Sequence, residues 1–323
     1  MNESNQVLVS AVIPTCGRPQ IVSRAVKSAL AQSLSMIEVI VVVDGPDEAT
    51  ARHLEQINDS RLRVVVLPVN VGAAGARNAG VSEAKGNWIA FLDDDDEWLP
   101  QKLESQLQIA NHSKHTFPIV YSRFIWKTAE SEFIGPRRIP APYEHLADYL
   151  FFRKSLFYGE AFVNTSTLFA KKELLLINPL DTSLRRHEDW NWVLQVSALE
   201  GVGIHFAPEP LAITNIETGR KRLSNINDWQ DSLNWIRSIR SLVTPSAYSC
   251  FLLTFVGLQA ASEQNWKVFW SLLREAIELG KPRPIDFLLY LLRWLIPQEV
   301  RQWLPAIFSR QRKAELRPNS PLQ

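Results

Sequence analysis

Between residues 7 and 113 the chain alternates short, almost uninterrupted apolar runs with stretches of helical spacing, and no other feature narrows its fold as much. VLVSAVIP (7–14), EVIVVVDG (38–45), RLRVVVLP (61–68) and NWIAFLD (87–93) read as strands, and the continuous apolar character of EVIVVVDG calls for burial on both faces. Between them, QIVSRAVKSALAQS (20–33) spaces Ile21, Val22, Ala25, Val26, Ala29 and Leu30 along one side of a helix. DEATARHLEQIN (47–58), the glycine-opened GAAGARNAGVSEAKG (72–86) and the proline-opened PQKLESQLQIANHS (100–113) extend the pattern. Neighbouring parallel strands need crossover connections, so this alternation predicts an α/β fold with a doubly wound, mostly parallel sheet. Ligands of such sheets bind outside the carboxyl ends of the strands. Three polar stretches fall there: TCGR after the first strand, DGPD after the second and DDDDE after the fourth.

The middle of the chain is less regular. PIVYSRFIW (118–126) and SEFIG (131–135) suggest a short antiparallel addition, and a strand near Thr167 to Ala170 precedes a short helix. HEDWNWVLQVSALEG (187–201) reads as a helix stopped by Gly201, and GIHFAPEPLAITNI (203–216) as one strand or two short ones. From about Asp228 onward, helix-like blocks follow one another, punctuated by prolines or glycine. The expected division is an α/β domain over 1–220 and a helical region over 221–323. A net charge of +1 argues against a nucleic-acid partner. Cys16 and Cys250 suggest no disulfide framework and fit a reducing compartment. The opening MNESNQVLVS lacks the basic start and apolar centre of a signal peptide, and no apolar run approaches the ~20 residues that cross a bilayer. The expected location is cytoplasmic, or peripheral on the inner face of the membrane.

The acidic run Asp93 to Asp96, with Glu97 directly after it, poses an electrostatic problem. At an effective dielectric of ~20 and ~5 Å spacing, each adjacent like pair costs roughly 3 kcal/mol. Most charge runs are solvated loops. This one follows a buried strand at the ligand end of the sheet and is flanked by Leu92 and Trp98. Carboxylates gathered in that way favour a hard divalent cation, Mg²⁺ or Mn²⁺, which takes one or two protein carboxylates and completes its shell with phosphates and water.

VSAVIPTCGRP, VIVVVDGPDEAT, NVGAAGARNAGVSEAKGNWIAFLDDDDEWLP and RRHEDWNWVLQVSALEG occur in an order and spacing that resemble family 2 glycosyltransferases of the GT-A fold, over about residues 7 to 216. The resemblance implies an inverting enzyme of the hexosyltransferase type. It would move a sugar from a nucleotide-sugar, most commonly UDP-linked, to a glycan or lipid-linked acceptor in polysaccharide or cell-envelope biosynthesis. Asp93 and Asp95 match the family's Asp-x-Asp element, with Asp95 as the direct metal ligand and Asp93 beside the metal and the donor's ribose or sugar; Asp94 fills the variable middle position. Asp44 would accept a hydrogen bond from the base, although a turn aspartate in DGPD is equally natural. Thr15 would touch the nucleotide, or simply bond its own loop. Arg77 would stack on or bond the nucleotide, or be a surface helix arginine. Asp189 matches the catalytic base and Glu188 the residue that orients it or the acceptor, though acidic residues also favour a helix start unaided. Trp190 and Trp192 suit either a sugar-stacking wall or the core, with at least one expected in the core.

Two basic spots, Arg185–Arg186 and GRKR (219–222), could close over a diphosphate but read first as solvated cations. Residues 281–323 hold eight Lys/Arg against three Asp/Glu, and DFLLYLLRWLIPQEVRQWLPAIFSRQRK mixes leucine, tryptophan and arginine. That mixture suits a helix lying in a membrane interface, a flap on the core or a homodimer contact. The competing functions are a sugar nucleotidyltransferase and a non-catalytic glycan- or nucleotide-binding subunit. TCGRP lacks the glycine- and lysine-rich signature of the first, and two intact carboxylate centres argue against the second.

Overall fold

The computed structural model describes residues 7–153, 160–216 and 228–296. The chain forms two compact units, Met1–Ile226 and Asn227–Gln323. The expected boundary at 220/221 and the GRKR segment lie outside the described residues, as does everything after 296.

The first unit opens with β1 (Val9–Thr15), α1 (Pro19–Leu30), β2 (Ile37–Val43), α2 (Glu48–Glu55), β3 (Leu62–Val66), α3 (Gly72–Glu83) and β4 (Trp88–Phe91). Strands β3, β2, β1 and β4 lie side by side and parallel in that order. Every residue of β1 and β2 is buried, as a strand covered on both faces must be. Helix α3 lies against β1 and β2, and Gly80 lets it approach them, because a Cβ there would overlap the Val12 side chain.

After β4 come β5 (Asp96–Trp98), α4 (Lys102–Asn111), β6 (Phe117–Thr128), β7 (Glu132–Gly135), α5 (Leu146–Phe151), a 3-10 turn (Thr165–Thr167), β8 (Phe169–Lys171), α6 (Lys172–Ile177), α7 (Glu188–Val196) and β9 (Val202–Ile216). The nine-stranded sheet runs β3-β2-β1-β4-β8-β6-β9-β5, with β7 paired to β6. Strand β8 is antiparallel to both β4 and β6, while β6 and β9 pair in parallel along most of their length. The β6–β7 hairpin is the antiparallel addition expected from the sequence, and β9 is one strand with a register shift near Arg123. Helix α7 ends at Val196, and Gly201, at φ 79°, turns the chain into β9.

Two elements depart from the sequence reading. Asp96–Trp98, for which the sequence suggests no regular element, is a strand pairing antiparallel with β9. Its sequence DEW carries no strand pattern of its own, so the partner imposes the conformation. Helix α5, six residues long, is too short to show a helical repeat.

The second unit is helical. It comprises α8 (Trp229–Ser238), α9 (Pro245–Phe251), α10 (Gly257–Ala260), α11 (Trp266–Leu279) and α12 (Pro284–Leu295), with a π turn, Leu252–Val256, joining α9 to α10. Its core is aromatic: Trp235 meets Phe251, and Phe269 stacks on Tyr290 with ring centroids 4.9 Å apart. Trp294 completes that cluster against Phe269. Among the described residues no helix is long and apolar enough to cross a membrane.

The close packing at Gly80 is testable. Alanine favours a helix over glycine by about 1 kcal/mol, yet overpacking a filled site costs about 1–3 kcal/mol. Gly80→Ala should therefore lower the urea unfolding free energy by about 1 kcal/mol or more, and combining it with Val12→Ala should recover part of the loss in a double-mutant cycle. A stabilised single variant would refute the close approach.

Candidate active site

The carboxyl ends of β1, β2 and β4, the start of α3, the Thr165–Thr167 turn and the start of α7 converge on one edge of the first unit. Asp44 directly follows β2. Its two oxygens accept the backbone N–H groups of Val71 (2.7 Å) and Gly72 (3.0 Å), so it caps α3 from another element. The chain can turn sharply here because Gly45 and Gly72 hold left-handed φ values of 108° and 79°. The glycine-rich start of α3 thus offers its amides to the protein's own carboxylate. Asp47, the second acid of DGPD, caps α2 by accepting from Thr50 N–H at 3.1 Å.

The acidic run is resolved residue by residue. Burial alternates along it: Asp94, Asp96 and Trp98 are buried, whereas Asp93, Asp95 and Glu97 are only half-buried. Asp94 accepts from Thr15 Oγ1 (2.7 Å) and Arg18 Nη1 (2.9 Å), which ties the run to the loop after β1. Burial pushes the Asp94 carboxyl upward, and Thr15 and Arg18 offset part of that shift. Asp96 accepts from Ser166 Oγ (2.6 Å) and Thr214 Oγ1 (3.2 Å). Its pKa lies well above the usual carboxylate range, first because it is buried and then because Asp93 and Asp95 are close. Glu97 faces Arg24 at 3.2 Å. The Asp95 carbonyl accepts from Arg24 (3.0 Å) and from Asn215 (3.0 Å), fixing the backbone while its side chain stays half-buried.

Arg77 joins the two acidic centres. From α3 it donates to Asp93 Oδ1 at 2.6 Å and to Glu188 Oε1 at 3.1 Å, with only 5 % of its side chain exposed. Burial opposes its charge, but Asp93 and Glu188 outweigh that cost and its pKa is raised. Glu188 and Asp189 open α7 behind His187, a non-glycine residue at φ 64°. Such a backbone is uncommon and clusters at functional sites. Asp189 accepts from Thr165 Oγ1 (3.1 Å) and from the Trp190 N–H (2.8 Å). Burial first, and then the neighbouring Glu188, push its carboxyl up to about 7, despite the opposing pull of Trp190 N–H, Arg77 and Thr165. Trp192 is core, its indole N–H held by the Asn178 carbonyl at 2.7 Å. Trp190 is half-buried and stacks on His187 with ring centroids 5.4 Å apart.

Asp93, Arg77, Glu188 and Asp189 therefore form one connected cluster, and Thr15 joins the run through Asp94. Asp44 adjoins through its N–H, which donates to the Thr15 carbonyl at 2.8 Å, but its carboxylate is turned to α3. The sequence reading had not singled out Arg18, Thr165 or Ser166. Ser166 is central, since it accepts from the Asp93 N–H (3.1 Å) as well as donating to Asp96. The only signal in the sequence was the hydroxyl-rich NTST (164–167) set between aromatic runs.

Among the described residues no three His, Cys, Asp or Glu side chains gather as a metal cage. The donor set fits a cation that takes one or two carboxylates and leaves its remaining positions to phosphate and water. Asp93, Asp95 and Glu97 are the half-buried acids of the run, with Asp93 neutralised in part by Arg77 and Glu97 by Arg24.

Residues 10–175 match the family model described as glycosyl transferase family 2. An uncharacterized glycosyltransferase of Haemophilus influenzae is 28% identical over 234 residues, 71% of this chain and 76% of that protein. The UDP-Glc:alpha-D-GlcNAc-diphosphoundecaprenol beta-1,3-glucosyltransferase WfgD of Escherichia coli is 32% identical over 135 residues, 41% of this chain and 53% of WfgD. Among solved structures, S. aureus TarS 1-349 is 16% identical, with a TM-score of 0.57 over 88% of this chain and 85% of that one; it has also been solved in complex with UDP-GlcNAc. The mixed sheet, its carboxyl-edge acidic cluster and the matched segment agree, and the chain belongs to glycosyl transferase family 2.

Proposed function

We propose that this glycosyltransferase is inverting and metal-assisted, that it takes its sugar from a UDP-linked donor, and that it delivers it to a hydroxyl of a glycan or lipid-linked acceptor, with Asp189 as the base. The observation that carries the reading is the Arg77 bridge, which holds the acidic run beside the α7 carboxylates in one cluster. The names of WfgD and of the TarS–UDP-GlcNAc complex support a UDP donor, and that of WfgD supports a lipid-linked acceptor.

In this reading Asp189 removes the acceptor's proton while the acceptor oxygen attacks the anomeric carbon. The bond from that carbon to the diphosphate oxygen breaks, and UDP leaves with the bonding pair. Attack from the face opposite the leaving group inverts the anomeric centre without a covalent intermediate. A pKa near neutrality suits a base that must be ionised yet hold a proton during the transfer. Glu188, fixed by Arg77, is the positioning residue for Asp189 and the acceptor. Asp95, with Asp93, would hold Mg²⁺ or Mn²⁺, which when bound supplies positive charge for the diphosphate as it leaves. Thr15, Asp94 and Arg18 form the floor on the nucleotide side, and Asp44 orders the loop next to the base.

Site variants and the pH profile test this. Asp189→Asn should lower kcat by about 10²–10⁴-fold while UDP affinity by calorimetry stays within about threefold; a binding subunit or a nucleotidyltransferase would be indifferent to it. The wild-type log kcat/KM should rise with pH and level off above about 7, since Asp189 acts only when deprotonated. Arg77→Met removes a charge that lowers the Asp189 pKa, so that limb should move to higher pH. The same variant should lose stability toward the lower end of about 3–5 kcal/mol, because Asp93 is partly open to solvent. Asp95→Ala should abolish Mn²⁺ binding by calorimetry and metal-dependent transfer together, and retained metal affinity would remove it as the ligand.

A further inference from the structure

Among the described residues of the second unit, all the large exposed apolar side chains lie on α11 and α12. On α12, Leu288, Leu291, Leu292 and Leu295 follow i, i+3, i+4, i+7 spacing, so they form one row, opposite the buried Asp286, Tyr290 and Trp294. On α11, Trp266, Trp270 and Ile277 form a second row beside the buried Phe269, Leu272 and Ala276. The helices pack as an antiparallel pair, since Trp266 at the start of α11 meets Trp294 near the end of α12 at 5.9 Å. Trp266, at the head of the α11 row, thus sits against the end of α12, where Leu295 closes the other row. Trp270 is 64 % exposed and Leu295 equally so. A contiguous apolar face of this kind on a folded unit marks an interaction surface.

The charge around it selects the partner. Trp270 also lines a groove of about 730 Å³ with Arg237, Arg240, Arg274, Glu275 and Glu278. Arg237 bonds Glu275 and Arg274 bonds Glu278 (2.7 Å), while Arg240 donates to the Leu279 carbonyl (2.6 Å), so three guanidinium groups face two carboxylates. Arg283 at the start of α12 is paired with Asp286 (2.8 Å) and Arg293 donates to the Leu258 carbonyl (3.3 Å), while the sequence from 281 onward carries eight Lys/Arg against three Asp/Glu. Apolar rows of leucine and tryptophan beside cationic side chains fit the headgroup–acyl boundary of an anionic bilayer. A two-fold contact with a second copy would bring these like charges together instead.

We infer that the α11–α12 face seats the protein on an anionic lipid surface, with the arginine groove at headgroup level. This deepens the lipid-linked acceptor reading, but it is measured without catalysis, so either can fail alone. The full chain should float with phosphatidylglycerol–phosphatidylcholine vesicles and not with phosphatidylcholine alone, and 0.5 M salt should weaken binding, since a Debye length of about 10 Å at 0.1 M shortens to about 3 Å at 1 M. The double variant Leu291→Glu/Leu295→Glu should bind about tenfold or more weakly, with unchanged thermal unfolding and unchanged hydrolysis of a soluble UDP-sugar. Arg240→Gln/Arg274→Gln should reduce binding to the anionic vesicles severalfold. Failure of the wild type to float, equal flotation of the leucine variant, or a wild-type dimer that the leucine variant dissolves without any vesicle binding would each overturn the proposal.

Discussion

The Arg77 guanidinium is the contact on which the site's geometry depends. It reaches Asp93, 16 residues away, and Glu188, 111 residues away, from within α3. Without a cation there, two carboxylates on different elements would face each other at the edge of a buried sheet. With it, each becomes a fixed acceptor, and Asp189, next to Glu188, is brought to the same edge. A buried arginine is costly unless it is paired on both sides, and here it is. Helix α3 can carry this residue to the sheet because Gly80 keeps the helix close to β1 and β2.

The acidic run shows how a chain tolerates adjacent like charges. Burial alternates along it, so neighbouring carboxylates meet different partners: Thr15 and Arg18 for Asp94, Ser166 and Thr214 for Asp96, Arg77 for Asp93. The buried members also anchor the half-buried ones. Asp96 is bound to β9 through Thr214 and through the β5 pairing, which fixes the backbone of Asp95. The half-buried residues are held mainly through their backbone: the Asp93 N–H donates to Ser166, which also bonds Asp96, and the Asp95 carbonyl accepts from Arg24 and Asn215. In the proposed reaction, holding these groups on rigid strands and a helix start would reduce the ordering that the transition state requires.

Much of this was legible in the sequence, for reasons that can be named. The parallel half of the sheet follows from runs whose period and length leave one reading, and the strand ends mark where polar residues must collect. The resemblance carried by the dispersed motifs places the acids of the run and of HEDWNW in one family of sites. What was not legible depends on long-range pairing. The strand at Asp96–Trp98 exists because β9 is there to bond it. Thr165 and Ser166 matter because a 3-10 turn delivers their hydroxyls to Asp189 and Asp96, and no local pattern distinguishes them from other loop residues. Arg77 read locally as a helix arginine, equally suited to solvent or to a ligand.

The sequence by itself determined the element types and the edge of the sheet where chemistry can occur, because hydrophobic period and charge are local properties of the chain. It also determined the amphipathic character of the last helices. Only the tertiary structure decided which carboxylate meets which cation, which hydroxyl, and which solvent opening. It thereby decided that Asp189 sits near neutrality and that Asp44 faces the amides of α3. The reason is physical: a pKa or a hydrogen bond depends on burial and on neighbours many residues away, and those exist only once the elements have packed.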